Sequence, residues 1–270
     1  MKRPLQRLAH EWLPPVLLRV ARQVATPRVF SGDHRAWAEA RAASRGYEDP
    51  AIFEQAVEAT RAVRDGRAAF ERDTVLFDSP EWHAPLLGAL LRVAARNGGR
   101  LNVIDFGGAF GSTWWQHRRW LEGLDAIRWD VVEQPHFVAA GRREFETGPL
   151  RFHASIDDCA ATGPAQAILL SSVLPYLEKP HALLADVVRR GFRHVIIDRT
   201  GFVAEGCDRL TVQRVPPAIY AASYPCWFFN RETLLRPFAA EYRVVVEWPT
   251  FDAADIAAKF RGLLLERTSS

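Results

Sequence analysis

The stretch Val103-Ile104-Asp105-Phe106-Gly107-Gly108-Ala109-Phe110-Gly111 decides the fold of this chain. An apolar run ends in an acid, and a segment with three glycines follows it. A buried parallel strand is apolar on both faces, and glycines after it let backbone N–H groups approach a ligand at the N-terminus of the next helix. The stretch therefore predicts the first strand and the cofactor loop of an α/β nucleotide-binding fold.

The spacing of these glycines distinguishes between cofactors. A dinucleotide fingerprint has glycines at relative positions 1, 3 and 6, but those positions counted from Gly107 hold Gly107, Ala109 and Ser112. The chain instead shows acid-x-Gly-x-small-x-Gly from Asp105 to Gly111, which resembles the first motif of class I S-adenosylmethionine-dependent methyltransferases. Ala109 stands where that class usually has glycine, and we expect it to be tolerated provided that its φ is negative.

Strand-like and helix-like segments alternate after Gly99, which indicates a parallel sheet. Two last strand candidates, Tyr242 to Trp248 and Gly262 to Arg267, are close enough to pair as an antiparallel hairpin at the sheet edge. The predicted fold class is α/β, a Rossmann-like, seven-stranded, mostly parallel sheet with a helical N-terminal extension, and the class I methyltransferase resemblance implies the same architecture. The other predicted strands are 101–106, 128–133, 150–153, 166–171 and 193–198, and the predicted helices between them are 112–122, 135–146 and 180–190.

The 270 residues, 48% of them apolar, are enough to bury a full α/β core. We expect a basic amphipathic tail at 1–30, a helical cap or lid at 31–97, and a class I methyltransferase domain at 98–270 with an acceptor-side insertion at 201–229. Within the cap, the segment Glu71 to Asp78 contains both charged and apolar residues. It is either an exposed turn that enters a strand or helix, or a lid over the cofactor.

Charge and cysteine content limit the partners and the compartment. Basic side chains outnumber acids six to one in residues 1–28, which more than accounts for the formal net charge of +3, so no nucleic-acid partner is expected.

Arg19 and Arg22 interrupt the apolar run of this tail, so we expect neither a secretory signal nor a membrane span. The tail is either a basic amphipathic helix on an anionic membrane surface or on a partner, or else a helix packed on the domain or a partly ordered segment. Three cysteines without a Cys-x-x-Cys pair favour a cytoplasmic location, with membrane-peripheral contact left open, as is the oligomeric state.

A second apolar strand ends on Glu133, about twenty residues after the last loop glycine. An acid at this place can accept hydrogen bonds from both ribose hydroxyls of an adenosine. The ribose hydroxyls of NAD could bind the same acid. The other alternative is that Glu133 is an ordinary surface carboxylate at a strand end. The next residue, Gln134, either touches the adenine edge or faces solvent.

The run from Ala167 to Pro180 resembles the fourth-strand segment of many class I methyltransferases, with a polar pair, an apolar-aromatic turn and an acid-x-Pro ending. This favours a methyltransferase over a dehydrogenase. More narrowly, the chain resembles a bacterial family of inferred methyltransferases, and the resemblance extends into Gly46-Tyr47 and Glu71 to Phe77. The shared motifs are an Asp-Phe-Gly-Gly loop at 105–108, Val-Val-Glu-Gln at 131–134, Ser-Ser-Val-Leu-x-Tyr-Leu at 171–177 and Ile-Asp-Arg-Thr at 197–200.

The resemblance implies S-adenosyl-L-methionine as the cofactor and assigns residues to it. Asp105 would hold the loop or the methionine amino group, and Glu133 would bind ribose. Asp157, with Asp158 an equal contender, would bind the adenine amino group, unless either aspartate caps the next helix. Loop backbone at Gly107, Gly108, Ala109 and Gly111 would approach methionine and ribose, and Ser171 and Ser172 would lie under the sulfonium, unless they are turn residues.

Methyl transfer requires alignment of acceptor, methyl and sulfur, and removal of a proton where the acceptor is a hydroxyl. Asp198 and Arg199 end the fifth predicted strand, at the crevice where open α/β sheets bind ligands. Asp198 is the predicted base or acceptor-orienting group, and Arg199 would clamp an acceptor carboxylate or phosphate. The alternative is a structural pair between these two residues. Tyr176 is the third predicted catalytic residue.

Residues 201–229 are expected to form a long ordered loop before a helix capped by Asn230. Its aromatic residues, among them Tyr220, Tyr224 and Trp227, either stack on a sugar ring or close the core. No metal site is predicted, because the histidines lack ligand spacing. The predicted function is methylation of a small-molecule or glycan hydroxyl, and the alternatives are an inactive methyltransferase-like binding protein and an NAD-dependent oxidoreductase.

Overall fold

The computed structural model describes residues 29–45, 50–215 and 222–268. Two single 3-10 turns, Leu174–Tyr176 and Arg236–Phe238, accompany the regular elements. In chain order the strands are β1 (Phe30–His34), β2 (Phe70–Arg72), β3 (Val75–Phe77), β4 (Arg100–Phe106), β5 (Ala126–Val132), β6 (Leu150–His153), β7 (Ala167–Ser171), β8 (His194–Val203), β9 (Arg209–Arg214), β10 (Ser223–Phe228), β11 (Tyr242–Pro249) and β12 (Ala258–Arg267). The helices are α1 (Trp37–Ala42), α2 (Pro50–Arg64), α3 (Ala84–Ala95), α4 (Ser112–Leu121), α5 (Pro135–Glu144), α6 (Ile156–Ala160), α7 (Pro180–Arg190) and α8 (Arg231–Leu235).

Within the described ranges, seven strands form the main sheet in the order β6-β5-β4-β7-β8-β12-β11. The strands β4 to β8 are parallel, and β12 runs antiparallel to both of its neighbours, β8 and β11. The predicted fold class and the predicted terminal hairpin are therefore confirmed. Two boundaries differ by more than two residues: β8 runs on to Val203 and β12 begins at Ala258, because these two extensions pair with each other.

The core of the molecule lies on both faces of this sheet. On one face, buried side chains of α3, α4 and α5 such as Leu90, Trp114 and Phe137 pack against β4 and β5. On the other face, α6, α7 and α8 contribute Cys159, Leu184 and others. Because helices cover both faces, the parallel strands are largely apolar, and their carboxyl ends form one open edge.

The cap segment before β4 is a mixture of helices and short strands. The helices in the region predicted as a helical cap are α1, α2 and α3, whereas Glu71 to Asp78 forms the β2–β3 hairpin. The turn of this hairpin places Asp73 and Thr74 at φ angles of 51° and 69°. The boundaries predicted for tail, cap and methyltransferase domain stay predictions.

The expectation of a long loop at 201–229 is wrong for its described part. The chain there continues β8 and then forms the β9–β10 hairpin, which pairs with β1 in a second, three-stranded sheet. Alternate residues of β9, Leu210 and Val212, are buried against α1. This partner lies far away in the sequence, so local pattern alone indicates a loop. The helix predicted after the insertion is α8, and the Asn230 side chain caps it by accepting a hydrogen bond from the Thr233 N–H at 3.0 Å.

Three predictions concern residues outside the described ranges. They are the membrane or packing alternatives for residues 1–28, the family resemblance at Gly46-Tyr47, and the role of Tyr220. Among the residues that the structure does describe, no helix has the length and hydropathy needed to cross a membrane.

Candidate active site

The glycine loop between β4 and α4 is shaped by close approach of side chains. Gly107 has a φ of 72°, and a Cβ there would collide with Val173, which follows β7. A Cβ on Gly108 would lie 2.6 Å from the carboxyl carbon of Asp105. Ala109 has a φ of 49°, so the expectation of a negative φ is wrong. An alanine in this left-handed region costs about 1–2 kcal/mol, which the surrounding contacts must offset.

Asp105 lies beneath this loop and is 1% exposed. Its Oδ2 accepts a hydrogen bond from the Trp129 indole at 3.0 Å. Burial and, to a smaller extent, the nearby charge of Glu133 raise the pKa of Asp105 to about 7, against the opposing effect of that hydrogen bond. Of the two roles predicted for Asp105, holding the loop would need the Asp105 carboxyl close to the loop backbone, and at Gly108 this carboxyl fills the space of a Cβ.

Glu133 follows β5 and reaches the same loop. Its carboxylate accepts hydrogen bonds from the backbone N–H of Ala109 at 3.3 Å and of Gln134 at 2.8 Å. Burial raises the pKa of Glu133, and these two hydrogen bonds oppose the shift. Gln134 itself is exposed and begins α5 as its N-cap residue. The acid predicted to bind ribose therefore lies beside the loop predicted to bind methionine.

The aspartates after β6 point elsewhere. Ser155 caps α6 by accepting the Asp158 N–H at 3.1 Å, so the alternative of an aspartate cap is wrong. Asp157 is exposed and pairs with Arg190 of α7 at 2.6 Å. Its predicted contact with adenine would require this ion pair to open.

Asp198 is the most enclosed acid at the carboxyl edge, with 0% exposure. Its Oδ1 accepts a hydrogen bond from the Trp248 indole at 2.9 Å and lies 3.3 Å from His83 Nε2. The Ser171 hydroxyl donates to its Oδ2 at 3.4 Å, and the Ser172 N–H donates to its backbone carbonyl at 3.0 Å. Both predicted serines thus lie against the predicted base.

Arg199 forms no pair with Asp198, so that alternative is wrong. Its guanidinium binds both carboxylate oxygens of Asp252, with the shortest distance 2.9 Å, and Asp73 at 2.7 Å. Burial lowers the pKa of Arg199, but the charges of Asp73 and Asp252 and their hydrogen bonds outweigh this and raise it well above its ordinary value. Arg199 therefore ties the β2–β3 turn to the β11–β12 loop.

Tyr176 lies between the edge and the second sheet. Its hydroxyl donates to Gln213 Oε1 at 2.9 Å, and its ring meets Tyr224 edge-on at 5.2 Å. Burial raises the pKa of Tyr176 well above its ordinary value, which keeps the phenol protonated at neutral pH. The described aromatics Tyr224 and Trp227 pack within the β1–β9–β10 region, which agrees with the core alternative for them.

The sequence interpretation missed four residues at this edge. His83 precedes α3 and meets Asp198, while Phe251 of the β11–β12 loop meets the His83 ring edge-on at 5.5 Å and lies 3.7 Å below the Arg72 guanidinium. Glu71 of β2 is buried and accepts the Thr74 N–H at 3.1 Å, and burial raises its pKa against a hydrogen bond from Ser112. No local spacing signals these residues, because three separate segments, one of them the strand β2, bring them together.

Backbone strain is concentrated in the same place. Among the described residues, the non-glycine residues with positive φ belong to the glycine loop, the residue after β7, the middle of β8, and the hairpin turn. They are Asp73, Thr74, Ala109, Ser172 and Arg199. Strained backbone clusters at functional sites when the surrounding structure holds it in place. This independent feature marks the carboxyl edge as the candidate site.

A second cluster of polar side chains lies between β5, β6 and α6. Donor atoms of Asp130, His153 and Cys159 lie within 4.8 Å of one another, although sequence spacing gave no sign of a metal site. His153 lies 2.9 Å from one Asp130 oxygen, and Arg128 lies 2.8 Å from the other. Burial raises the pKa of the Cys159 thiol to about 12. Because Asp130 already has two partners, one of them a cation, we assign no metal to this cluster.

No protein-family model matches the sequence, and the comparison with curated proteins gives no match. Among solved structures, the chain is similar to the N-terminal domain of EvdMO1 with SAH bound, at 15% identity and a TM-score of 0.46, over 78% of this chain and 96% of that one. It is also similar to an amino pentose methyltransferase from Micromonospora echinaspora, at 14% identity and a TM-score of 0.45, over 77% and 96% of the two chains. A third is magnesium protoporphyrin IX methyltransferase from Synechocystis PCC 6803, at 12% identity and a TM-score of 0.44, over 69% and 80%. Because the TM-scores are below 0.5, these similarities do not establish the activity of this chain.

Proposed function

We propose that the protein is a methyltransferase that uses S-adenosyl-L-methionine and methylates the hydroxyl group of a small molecule or glycan. The observation that carries this proposal is the glycine loop folded around the buried Asp105, with Glu133 beside it at the end of the next strand. Glycine at 108 is required because the Asp105 carboxyl fills the space of a Cβ. The loop backbone can therefore lie close to a ligand on its other side.

The cofactor would lie along the carboxyl ends of β4, β5 and β7. Glu133 would accept the ribose hydroxyls in exchange for its present backbone partners, and loop N–H groups would face the methionine part. The sulfonium would lie near Ser171 and Ser172, and so near Asp198. When bound, this cofactor supplies an activated methyl group, and the residues of the chain align the acceptor with it.

The acceptor would enter from the side of β8, under the β2–β3 hairpin and the β11–β12 loop. Arg199 is saturated by two carboxylates, so an acceptor anion would have to displace Asp73, the more exposed of the two. We therefore favour a neutral hydroxyl acceptor over an acidic one, with Tyr176 at the side of the second sheet. A glycan acceptor, a cytoplasmic location and peripheral membrane contact through residues 1–28 remain parts of this proposal that rest on sequence alone.

Calorimetry with S-adenosylhomocysteine and, separately, with NAD tests the cofactor. We expect S-adenosylhomocysteine to bind and NAD not to bind, and Glu133→Ala to weaken binding at least about tenfold through loss of the ribose hydrogen bonds. Glu146→Ala, a carboxylate after α5, serves as the matched control with unchanged affinity. Binding of NAD alone would instead support the oxidoreductase alternative.

Turnover is tested with methyl-labelled S-adenosylmethionine against a panel of sugars, phenols and alcohols. We expect label in an ether product, which shows O-methylation. Label in an amine product would overturn the O-directed part of the proposal. Cofactor binding with the same background rate in wild type and Glu133→Ala would support the alternative of a binding protein without turnover.

A further inference from the structure

We propose that His83, and not Asp198, receives the proton of the acceptor hydroxyl, and that Asp198 and His117 fix the position of the His83 ring. This inference rests on the proposed methyl transfer and names its base. Three observations support it: the enclosure of Asp198, the hydrogen bonds of His117, and the free nitrogen of His83.

The Asp198 carboxylate is enclosed on every side from which an acceptor could approach it. It has 0% exposure, and a Cβ on Gly262 would lie 2.5 Å from its Oδ1. Trp248 and Ser171 donate to its two oxygens. A carboxylate held in this way accepts hydrogen bonds but does not reach a ligand, so its remaining partner, the His83 ring, is the group it can act through.

His117 of α4 fixes the backbone of His83. Its Nδ1 lies 2.9 Å from the Thr113 carbonyl, an acceptor, so Nδ1 carries the proton. Its Nε2 then has a lone pair, which accepts the His83 backbone N–H at 3.2 Å. Burial lowers the pKa of His117 to about 4, which agrees with a neutral ring at physiological pH. His117 therefore acts on His83 by position and not by charge.

The orientation of the His83 ring leaves one nitrogen available. Because Nε2 faces the Asp198 carboxylate at 3.3 Å, a neutral ring carries its proton on Nε2. Within the described ranges no hydrogen bond is formed to Nδ1 of this ring. Phe251, 45% exposed, meets this ring edge-on at 5.5 Å.

The reaction then balances as a direct displacement. The acceptor O–H gives its proton to His83 Nδ1, and the oxygen forms a bond to the methyl carbon as the carbon–sulfur bond breaks and its electron pair stays on sulfur. The imidazolium that results is stabilised by Asp198. It returns to the neutral form by releasing the proton to solvent.

The first test needs no acceptor. Nitrogen-15 NMR of the histidine rings in the full chain at about pH 9, where histidines are neutral, reports which ring nitrogen carries the proton. The His83 signals are assigned by their loss in His83→Gln. We expect His83 with the proton on Nε2 and His117 with the proton on Nδ1. A His83 ring with its proton on Nδ1 has no free lone pair toward the acceptor and would overturn the proposal.

The second test uses the best acceptor from the labelled panel. We expect His83→Ala to lower kcat roughly 100-fold, within the range for loss of a general base, with little change in KM, and added imidazole to restore part of the rate. The control His34→Ala removes a partly exposed histidine that makes none of these contacts. A wild-type rate in His83→Ala, or a loss without rescue, contradicts a proton-accepting role while the methyltransferase proposal stands.

Two substitutions at His117 separate position from mere packing. His117→Gln keeps an acceptor for the His83 N–H, whereas His117→Leu does not. We expect His117→Gln to keep kcat within about tenfold of wild type and His117→Leu to fall towards His83→Ala. Equal rates in the two variants would remove His117 from the proposal. If wild type binds no S-adenosylhomocysteine, the methyltransferase proposal itself fails, whatever the state of His83.

Discussion

The two halves of the carboxyl edge are built in different ways. The cofactor half consists of one continuous loop and its neighbour, from Asp105 to Gly111 with Glu133. The acceptor half joins His83, Asp198 and the β11–β12 loop, which lie far apart in the sequence. The first half is a local motif with one buried acid. The second is a network of buried charges whose members depend on each other, so the two halves should respond differently to pH and to substitution.

The largest expected difference is in the pH dependence of unfolding. Burial raises the pKa of Asp105 to about 7, so the folded state holds its proton where the unfolded state, at about 4, has lost it. Its contribution to stability is therefore present below about pH 4 and is lost as pH rises to 7. His117, with its pKa lowered to about 4 against about 6.5 when unfolded, has the opposite effect and contributes stability as pH rises through that window.

Urea unfolding of two variants between pH 4 and 7 tests these opposite slopes. Asp105→Asn should make stability rise more steeply with pH than in wild type, and His117→Gln should make it rise less steeply. Each change should amount to about 3–4 kcal/mol across the window, from shifts of roughly three pKa units at about 1.4 kcal/mol each. Equal slopes in wild type and both variants would show that neither group is buried as described.

The next effect belongs to the acceptor half alone. Asp252 binds the Arg199 guanidinium through both carboxylate oxygens and is 19% exposed, while Asp73 binds one nitrogen and is 56% exposed. Asp252→Asn should destabilise the protein by about 2–3 kcal/mol, somewhat less than the breaking of a fully buried pair. Asp73→Asn should cost less than about 1 kcal/mol. Chemical denaturation measures both, and equal losses would contradict the unequal burial.

The sequence predicts the main sheet, and the positions of the glycine loop and of Glu133 at the ends of its strands, because these depend on short-range pattern. Apolar strands, the glycine loop and the acid at 133 carry their signal within a few residues. The β1–β9–β10 sheet and the His83–Asp198 contact carry no such signal, since each joins segments more than a hundred residues apart. The positive φ of Ala109 also has no short-range sequence signal, because it follows from contacts around the loop and not from the backbone preference of alanine.

Gly108→Ala tests the cofactor half by overpacking. The new methyl group would overlap the Asp105 carboxyl, so either the loop or the acid must move, at a cost of about 1–3 kcal/mol. The affinity for S-adenosylhomocysteine should fall together with the stability. Gly88→Ala in α3 is the matched control, because nothing lies within 4 Å of its added Cβ and the helix should gain stability. Unchanged cofactor affinity in Gly108→Ala would argue against the proposed role of this loop.

The smallest expected effect is a gain in stability at Ala109. Glycine relieves a left-handed strain of about 1–2 kcal/mol and loses about 0.5–1 kcal/mol through greater freedom of the unfolded chain. Ala109→Gly should therefore stabilise the protein by about 0.5–1 kcal/mol in urea unfolding. The same change at Ala139, an exposed position inside α5, should destabilise it by about 1 kcal/mol because that backbone is helical. Opposite signs for one chemical change would place the strain in the backbone of the cofactor loop, whereas a loss at both positions would mean that the φ of Ala109 is not positive in solution.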